Sequence, residues 1–127
     1  MIAAILLSHS LMTFANQEIE KKIDDARWQK RIVLLFDNNQ NSAEKQLKQW
    51  QKIDLDEWDI LIIKINLNEA KLRQKYQVDQ SKTLSILIGK DGTEKWRSDH
   101  IVDFSEFEKL IAKMPMRQNE KNIKHSD

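Results

Sequence analysis

A group of charged side chains in the C-terminal half of the chain is the strongest candidate for chemistry. It comprises four bases and one acid, namely Lys90, Asp91, Lys95, Arg97 and Arg117. Guanidinium groups bind carboxylates and phosphates through paired hydrogen bonds, so Arg97 and Arg117 could form a small anion-binding pocket. The alternative, which we favour, is structural. In that case Arg117 would reach Asp91 or Glu120 and fix the C-terminus as a charged clasp.

The tryptophans are candidates for contact with a partner. They are spread through the chain, as Trp28, Trp50, Trp58 and Trp96. This spread indicates that most of them pack in the core or at its edge. Trp96 lies in a charged stretch typical of an edge strand, so we expect it to be the most exposed of the four. Together with residues 90–97, it forms the predicted surface for a partner protein.

Composition excludes several kinds of chemistry. The chain has no cysteine, so it offers no disulfide, thiolate nucleophile or cysteine-ligated metal site. The three histidines, His9, His100 and His125, lack the spacing of metal ligands, and two glycines cannot build a phosphate-binding loop. The net charge of +1 provides no basic field for nucleic acid. We therefore expect no metal, no cofactor and no nucleic-acid partner.

The apolar pattern predicts the elements that must position these residues. Three continuous apolar runs and one charged run predict strands at 31–37, 59–66, 84–88 and 93–97. Asp91 and Gly92 between the last two runs are a hairpin signal, because Gly92 tolerates the positive φ that the turn requires. Helical spacing of apolar residues predicts helices at 42–53, 68–76 and 104–114.

The order of these elements, β-α-β-α-β-β-α, is that of the thioredoxin core. We therefore expect an α/β, thioredoxin-like fold with a central mixed sheet of about four strands, flanked by helices. Asn41 with Glu44, and Asp103 with Glu106, predict capping boxes at two helix starts. Pro115 is expected to end the last helix.

The ends of the chain differ from its middle. Residues 1–15 carry no charge, and small residues at Thr13 and Ala15 follow an apolar segment, a pattern typical of a cleaved secretory signal. A packed N-terminal helix or a retained anchor is the alternative. The expected divisions are a signal at 1–15, a charged lead-in at 16–30, the domain at 31–117 and a polar, frayed tail at 118–127. The protein is therefore expected to be exported, periplasmic or secreted, with no membrane span after cleavage.

Three stretches together resemble one family. They are Arg31–Phe36, then Leu87–Gly92 with Lys95 and Arg97, and finally Met114–Gln118 with Glu120. In combination they resemble the bacterial domain of unknown function 4174 family, and a related domain occurs in vertebrate secreted sushi-repeat proteins. The resemblance implies a thioredoxin- or peroxiredoxin-like fold, export, and no established activity. Ala112 departs from the family pattern, in which an acidic residue is expected three positions before Pro115.

The expected fold also shows where the residues required for thiol–disulfide exchange would lie. Thioredoxin-type exchange uses a thiolate at the start of the first helix, which here is Asn38–Ser42. The proline that usually precedes the third strand is replaced by the residues at 81–83. A cysteine-based oxidoreductase is thus excluded, and we expect a non-catalytic binding module with an envelope or secreted partner. The alternative is a cysteine-independent enzyme that uses Asn38–Ser42 as an anion-binding site.

Overall fold

Nine helices and strands follow one another in the residues that the computed structural model describes, 17–38, 41–79 and 84–125. They are α1 (17–26), β1 (Arg31–Phe36), α2 (Ser42–Trp50), β2 (Ile60–Ile65), α3 (Ala70–Lys75), β3 (Ser85–Ile88), β4 (Glu94–Ser98), α4 (Phe104–Ala112) and α5 (Pro115–His125). The predicted signal at 1–15 and the residues at 81–83 lie outside the described residues.

The strands form one mixed sheet in the order β2-β1-β3-β4. Strands β1 and β2 are parallel, whereas β3 runs antiparallel to both of its neighbours, β1 and β4. Strands β1, β2 and β3 lie within the predicted runs and β4 extends one residue past its run, to Ser98. Gly92 in the β3–β4 turn has a φ of 85°. The α/β fold, with a thioredoxin-like mixed sheet of four strands flanked by helices, is therefore confirmed.

Strand β1 shows why the apolar runs are continuous. Its alternate residues Ile32, Leu34 and Phe36 pack in one core layer, which also contains side chains of α1 and α3. Val33 lies in the opposite layer, against side chains of α2 and α4. Because successive side chains of a strand point to opposite faces, a strand covered on both sides is apolar throughout.

Both ends of the domain are more helical than the sequence predicts. The lead-in contains α1, whose Ala26 is buried and whose Ile19 and Ile23 pack on the core. Residues 118–125 of the expected frayed tail belong to α5, and residues 126 and 127 lie outside the described part. Pro115 opens α5 rather than ending α4, because a first helical position requires no N–H donor. Among the described helices, none combines the length and apolar character that crossing a bilayer requires.

The prediction of two capping boxes is wrong. Asn41 and Asp103 precede α2 and α4 as expected, but neither side chain makes a capping hydrogen bond. Asn41 has a φ of 58°, a left-handed conformation rather than the extended one of a capping residue. At α4 the backbone carbonyl of Asp103 accepts the Glu106 N–H instead, at 3.0 Å.

Candidate functional site

Charged residues from four elements meet at one end of the sheet. Arg31 begins β1, Asp59 directly precedes β2, and Lys90 follows the antiparallel strand β3. Parallel strands begin, and an antiparallel one ends, at the same end of a sheet, so these three residues are brought together. Helix α5 supplies Arg117 and Glu120 at the same place. With Glu57, these residues are called the ion cluster below.

Glu120 is the centre of the ion cluster. Arg31 donates hydrogen bonds to both of its oxygens, from Nη1 at 3.2 Å and from Nη2 at 3.0 Å. Lys90 Nζ lies 2.9 Å from Glu120 Oε2 and also donates to Asp59 Oδ2 at 2.9 Å. The Glu120 carboxylate therefore joins the start of β1 to the end of β3.

Arg117 completes the ion cluster from the other side of Glu120. Its Nη1 lies 3.5 Å from Glu120 Oε1 and donates to the Glu57 carbonyl at 2.7 Å. Its Nη2 donates to Glu57 Oε1 at 3.3 Å. The guanidinium group also lies over the Trp58 ring, 4.3 Å from the ring centroid, a favourable cation–π position. Arg117 thus fixes α5 to the loop before β2.

The three cations of the ion cluster are buried more deeply than its acids. Arg31 is 1% exposed, Arg117 2% and Lys90 8%, against 15% for the side chain of Glu120. Burial alone would raise the pKa of Glu120, but hydrogen bonds from Arg31 and Lys90, and their charges, lower it to about 2. An internal carboxylate thus occupies the position in which an anionic ligand would bind. The arrangement is that of a clasp.

The predicted site residues are divided between three places. Arg117 reaches Glu120, one of its two expected partners, and Lys90 joins them. The sequence reasoning missed Arg31 and Asp59 as members of the ion cluster. A signal existed, because Arg31, Lys90, Arg117 and Glu120 all lie in the three stretches that carry the family resemblance.

Asp91 lies in the β3–β4 turn and Lys95 on β4, both apart from Arg117. Asp91 Oδ1 accepts the Thr93 N–H at 3.0 Å and its hydroxyl at 2.8 Å, and Lys95 Nζ donates to Asp91 Oδ2 at 2.9 Å. The hydrogen bond from the Thr93 backbone, followed by the one from Lys95, lowers the pKa of Asp91 to about 2. The Asp91 carboxylate thus closes its own turn and is not a partner of Arg117.

The pocket expected between Arg97 and Arg117 is not formed. Arg97 lies on β4 and donates to the carbonyls of Tyr76 and Gln77 at 2.8 and 3.1 Å, and to Glu94 at 2.7 Å. It therefore holds the chain after α3 against β4. The two guanidinium groups are engaged by different partners in different parts of the fold.

Trp96 is not the exposed tryptophan. Its ring packs edge-on against Phe107 of α4, with ring centroids 4.8 Å apart, because the residue faces the core side of β4. Trp28 is instead 63% exposed and, with Leu67, is one of the two exposed large hydrophobic residues in the described part of the chain. The expectation for Trp96 is therefore wrong, and the exposed aromatic surface lies between α1 and β1.

The backbone at Trp28 is fixed against the β3–β4 turn. Trp28 has a φ of 69°, an uncommon value for a bulky residue. Its N–H donates to the Lys90 carbonyl at 2.6 Å. The preceding Arg27 lies over Gly92, so closely that a Cβ at Gly92 would be 2.6 Å from Arg27 Nε. Trp28 and the turn at 89–93 therefore form one continuous surface, called the Trp28 surface below.

The alternative anion site at the start of α2 is only partly described, since residues 39 and 40 are outside the described part. Elsewhere in the described residues, no group of three or more histidine or acidic side chains is arranged to hold a metal ion. His100 is an exposed loop residue whose Nδ1 lies 2.8 Å from Asp99 Oδ1.

Comparison with known proteins places the chain in a family. The family model described as Domain of unknown function (DUF4174) matches residues 22–120, well over half of the chain. The chain belongs to the DUF4174 family. Among solved structures, a malarial protein is similar to this DUF4174 chain, with 26% identity and a TM-score of 0.54. That match covers 66% of this chain and 96% of the malarial chain. No curated protein matches.

The DUF4174 match bears directly on the ion cluster. It begins within α1 and ends at Glu120, so it includes every member of the ion cluster. It also extends beyond 31–117 on both sides, into the two segments that the sequence analysis set apart from the domain. The family description gives no activity, and function has to be argued from the surface of the molecule.

Proposed function

We propose that this DUF4174 protein is an exported, non-catalytic binding module whose protein partner contacts the Trp28 surface. The observation that carries the proposal is the 63% exposure of a tryptophan on a backbone held in place by a hydrogen bond. Tryptophan is the residue type most enriched among those that dominate binding energy at protein interfaces.

The backbone conformation of Trp28 supports a role beyond folding. A φ of 69° costs a bulky residue free energy, and such residues tend to cluster at binding and catalytic sites. Asparagine or glycine would fit this conformation with less strain. Since the ring is mostly exposed, folding gains little from a tryptophan here. Contact with a partner would explain why the residue is an aromatic one.

The surroundings of Trp28 also suit an interface. Arg27 precedes Trp28, and Asp91 lies on the adjoining turn, where Lys95 of β4 pairs with it. A polar rim around an aromatic centre is the usual anatomy of an interface. Glu120 already neutralises the buried cations Arg31, Lys90 and Arg117. The geometry therefore favours a surface that binds rather than a cavity that transforms a substrate.

Export is the second part of the proposal and rests on the sequence of residues 1–15. This uncharged, apolar segment ends in Thr13-Phe14-Ala15, which provides the small residues of a signal-peptidase site. Expression in the native host, cell fractionation and mass spectrometry of the N-terminus provide the test. We expect the protein outside the cytoplasm with its N-terminus at Asn16. Cytoplasmic protein that retains Met1 would contradict export.

Binding is tested with the variants Trp28→Asn and Leu67→Asn. Both replace an exposed hydrophobic side chain, but Leu67 follows β2 and lies at the opposite end of the sheet. We expect the wild type to capture a partner saturably from the envelope fraction. Trp28→Asn should weaken capture at least about tenfold, whereas Leu67→Asn should leave it unchanged.

The stability of Trp28→Asn is the control for folding. Because asparagine tolerates a positive φ, this variant should unfold at the same denaturant concentration as the wild type or at a higher one. Equal capture by the wild type and Trp28→Asn would contradict the proposed surface. Turnover of a substrate by the pure protein, lost on substitution of Asn41 or Ser42, would establish the enzyme alternative.

A further inference from the structure

The two edges of the sheet differ in how they are protected from pairing with another strand. Edge strand β4 carries Glu94, Lys95 and Arg97, and its register with β3 shifts at Leu87/Ile88 as in a β-bulge. Charge and bulges are devices that prevent edge pairing. Edge strand β2 has the sequence ILIIKI with one charge, Lys64. Strand β2 is therefore the edge open to another strand.

The free part of the outer edge of β2 lies after the Ile60 N–H. The Ile60 N–H donates to the Leu55 carbonyl at 3.0 Å, so the preceding loop occupies the first position of the edge. Beyond it, the described part of the chain pairs β2 on one side only, with β1. The Asp59 and Ile65 carbonyls accept N–H groups of the β1 segment, so the alternate residues Ile62 and Lys64 direct their N–H and C=O groups away from β1. These backbone groups can form a ladder with an added strand.

A groove follows this edge, between β2 and α2. It consists of two adjoining hollows of about 430 and 500 Å³, both lined by Leu47 and Gln51. Leu61 and Ile62 line the second hollow and are half-buried, as is Leu47. The edge thus has apolar side chains beside it that a second strand would cover.

The two ends of the groove carry opposite charge. Lys45, Lys48 and Lys64 line the end near the start of α2, where Lys64 pairs with Glu44 at 3.3 Å. The other end is lined by Asp54 and Asp56, with Lys30 located 3.8 Å from Asp56. Lysines therefore predominate at one end, and aspartates at the other.

We propose that this groove and β2 form a homodimer interface, in which the β2 strands of two copies pair antiparallel. A two-fold axis across the edge reverses the direction of the second copy. The lysine end of each copy then meets the aspartate end of the other, which makes the surface complementary to itself. The two sheets become one sheet of eight strands, and both exposed β2 edges are removed. This inference is independent of the proposed binding function.

Charge reversal with restoration tests the proposed dimer. Sedimentation equilibrium of the full chain should show a monomer–dimer equilibrium. Lys45→Glu with Lys48→Glu should weaken dimerisation at least about tenfold, because like charges then face each other. Adding Asp54→Lys and Asp56→Lys to the same chain should restore it, since each reversed end meets a reversed partner. These four side chains are exposed, so the fold should tolerate the changes.

Lys109→Glu is the matched control, because Lys109 is an exposed lysine on α4 and does not line the groove. It should leave dimerisation unchanged. Hydrogen exchange of the wild type gives a second readout that needs no variant. Backbone N–H groups of Ile62 and Lys64, which point away from β1, should become more protected as protein concentration rises, whereas those of β4 should not.

Three results would overturn the inference. The first is a chain that remains monomeric at about 1 mM, since a dimer weaker than that is not a specific assembly. The second is a failure of the variant with all four charges reversed to dimerise again. The third is concentration-dependent protection located outside β2, including protection produced by another segment of the chain.

Discussion

The two ends of the sheet use charged residues in different ways. At the end where β1 leads toward α2, Asn41 precedes the helix without a capping side-chain hydrogen bond, and Lys64 and Glu44 form a partly exposed pair. At the opposite end, Arg31, Lys90 and Arg117 are almost fully buried around Glu120. Redox-active thioredoxin-like proteins place their chemistry at the first end. Arg73 is also nearly buried at the first end, but it donates to the backbone carbonyls of Asp37 and Asn66 rather than to a carboxylate. This chain places its buried ion pairs at the second end, where they attach α5.

Among the substitutions considered at the two ends of the sheet, Glu120→Gln is expected to lower the free energy of unfolding most. The substitution keeps the size of the side chain but removes the charge that neutralises Arg31 and Lys90, both of them buried. Removing one partner of a buried ion pair leaves an uncompensated charge, so the free energy of unfolding should fall by about 3 kcal/mol. Urea unfolding followed by circular dichroism measures it.

The control for Glu120→Gln is Glu94→Gln, which breaks the Arg97–Glu94 pair on the surface. Exposed pairs are worth about 0 to 1 kcal/mol, so the control should cost much less. Equal losses in the two variants would show that the ion cluster is no more important for stability than a surface pair.

The pH dependence of stability tests the contribution of the Glu120 carboxylate in a second way. The folded-state pKa of Glu120 is about 2, below its ordinary value of 4.5, because Arg31 and Lys90 favour the charged form. The stabilisation is therefore fully present above about pH 4.5 and is lost as the pH falls toward 2. Thermal unfolding between pH 7 and pH 2 should show this loss in the wild type.

Glu120→Gln is also the reference for this experiment. Its stability should fall less steeply than that of the wild type below pH 4.5, because the titrating group has been removed. Asp91 also has a lowered pKa, of about 2, so some acid dependence should persist in the variant. Identical pH profiles would show that Glu120 titrates alike in the folded and unfolded chains.

The smallest effects are expected at the other end of the sheet. Asn41→Gly should be neutral or slightly stabilising, because glycine adopts a φ of 58° without strain. Ser42→Ala removes a hydroxyl from a half-buried residue at the start of α2. Each of the two changes should alter the free energy of unfolding by less than about 0.5 kcal/mol. A loss comparable to that of Glu120→Gln would remove the contrast between the two ends.

The fold could be predicted largely because its strands are covered on both faces. Continuous apolar runs such as Arg31–Phe36 are a strong signal, and Asp91 with Gly92 specifies a tight turn. Helices α1 and α5 were missed because their apolar residues are few, and contacts with the rest of the fold hold them in place. Pro115 indicates a helix start as well as a helix end, and the sequence alone did not distinguish the two.

The candidate site was predicted only in part. Arg117 with Glu120 was within reach, since the residues are close in sequence. Arg31 and Glu120 are separated by 89 positions, and local patterns carry no information about such a contact. The partial burial of Trp96 was also inaccessible, because it depends on where Phe107 of α4 packs. Long-range packing decided each of these.

The position of Glu120 on α5 determines how far the chain can be shortened. A version that ends before residue 120 would keep Arg31 and Lys90 in the protein interior but lose the carboxylate that both contact. Water or an added anion would then have to replace the carboxylate. Such a fragment should bind added sulfate or phosphate, whereas the intact chain should not. The Glu120 carboxylate of α5 is in this sense an internal ligand for the two buried cations.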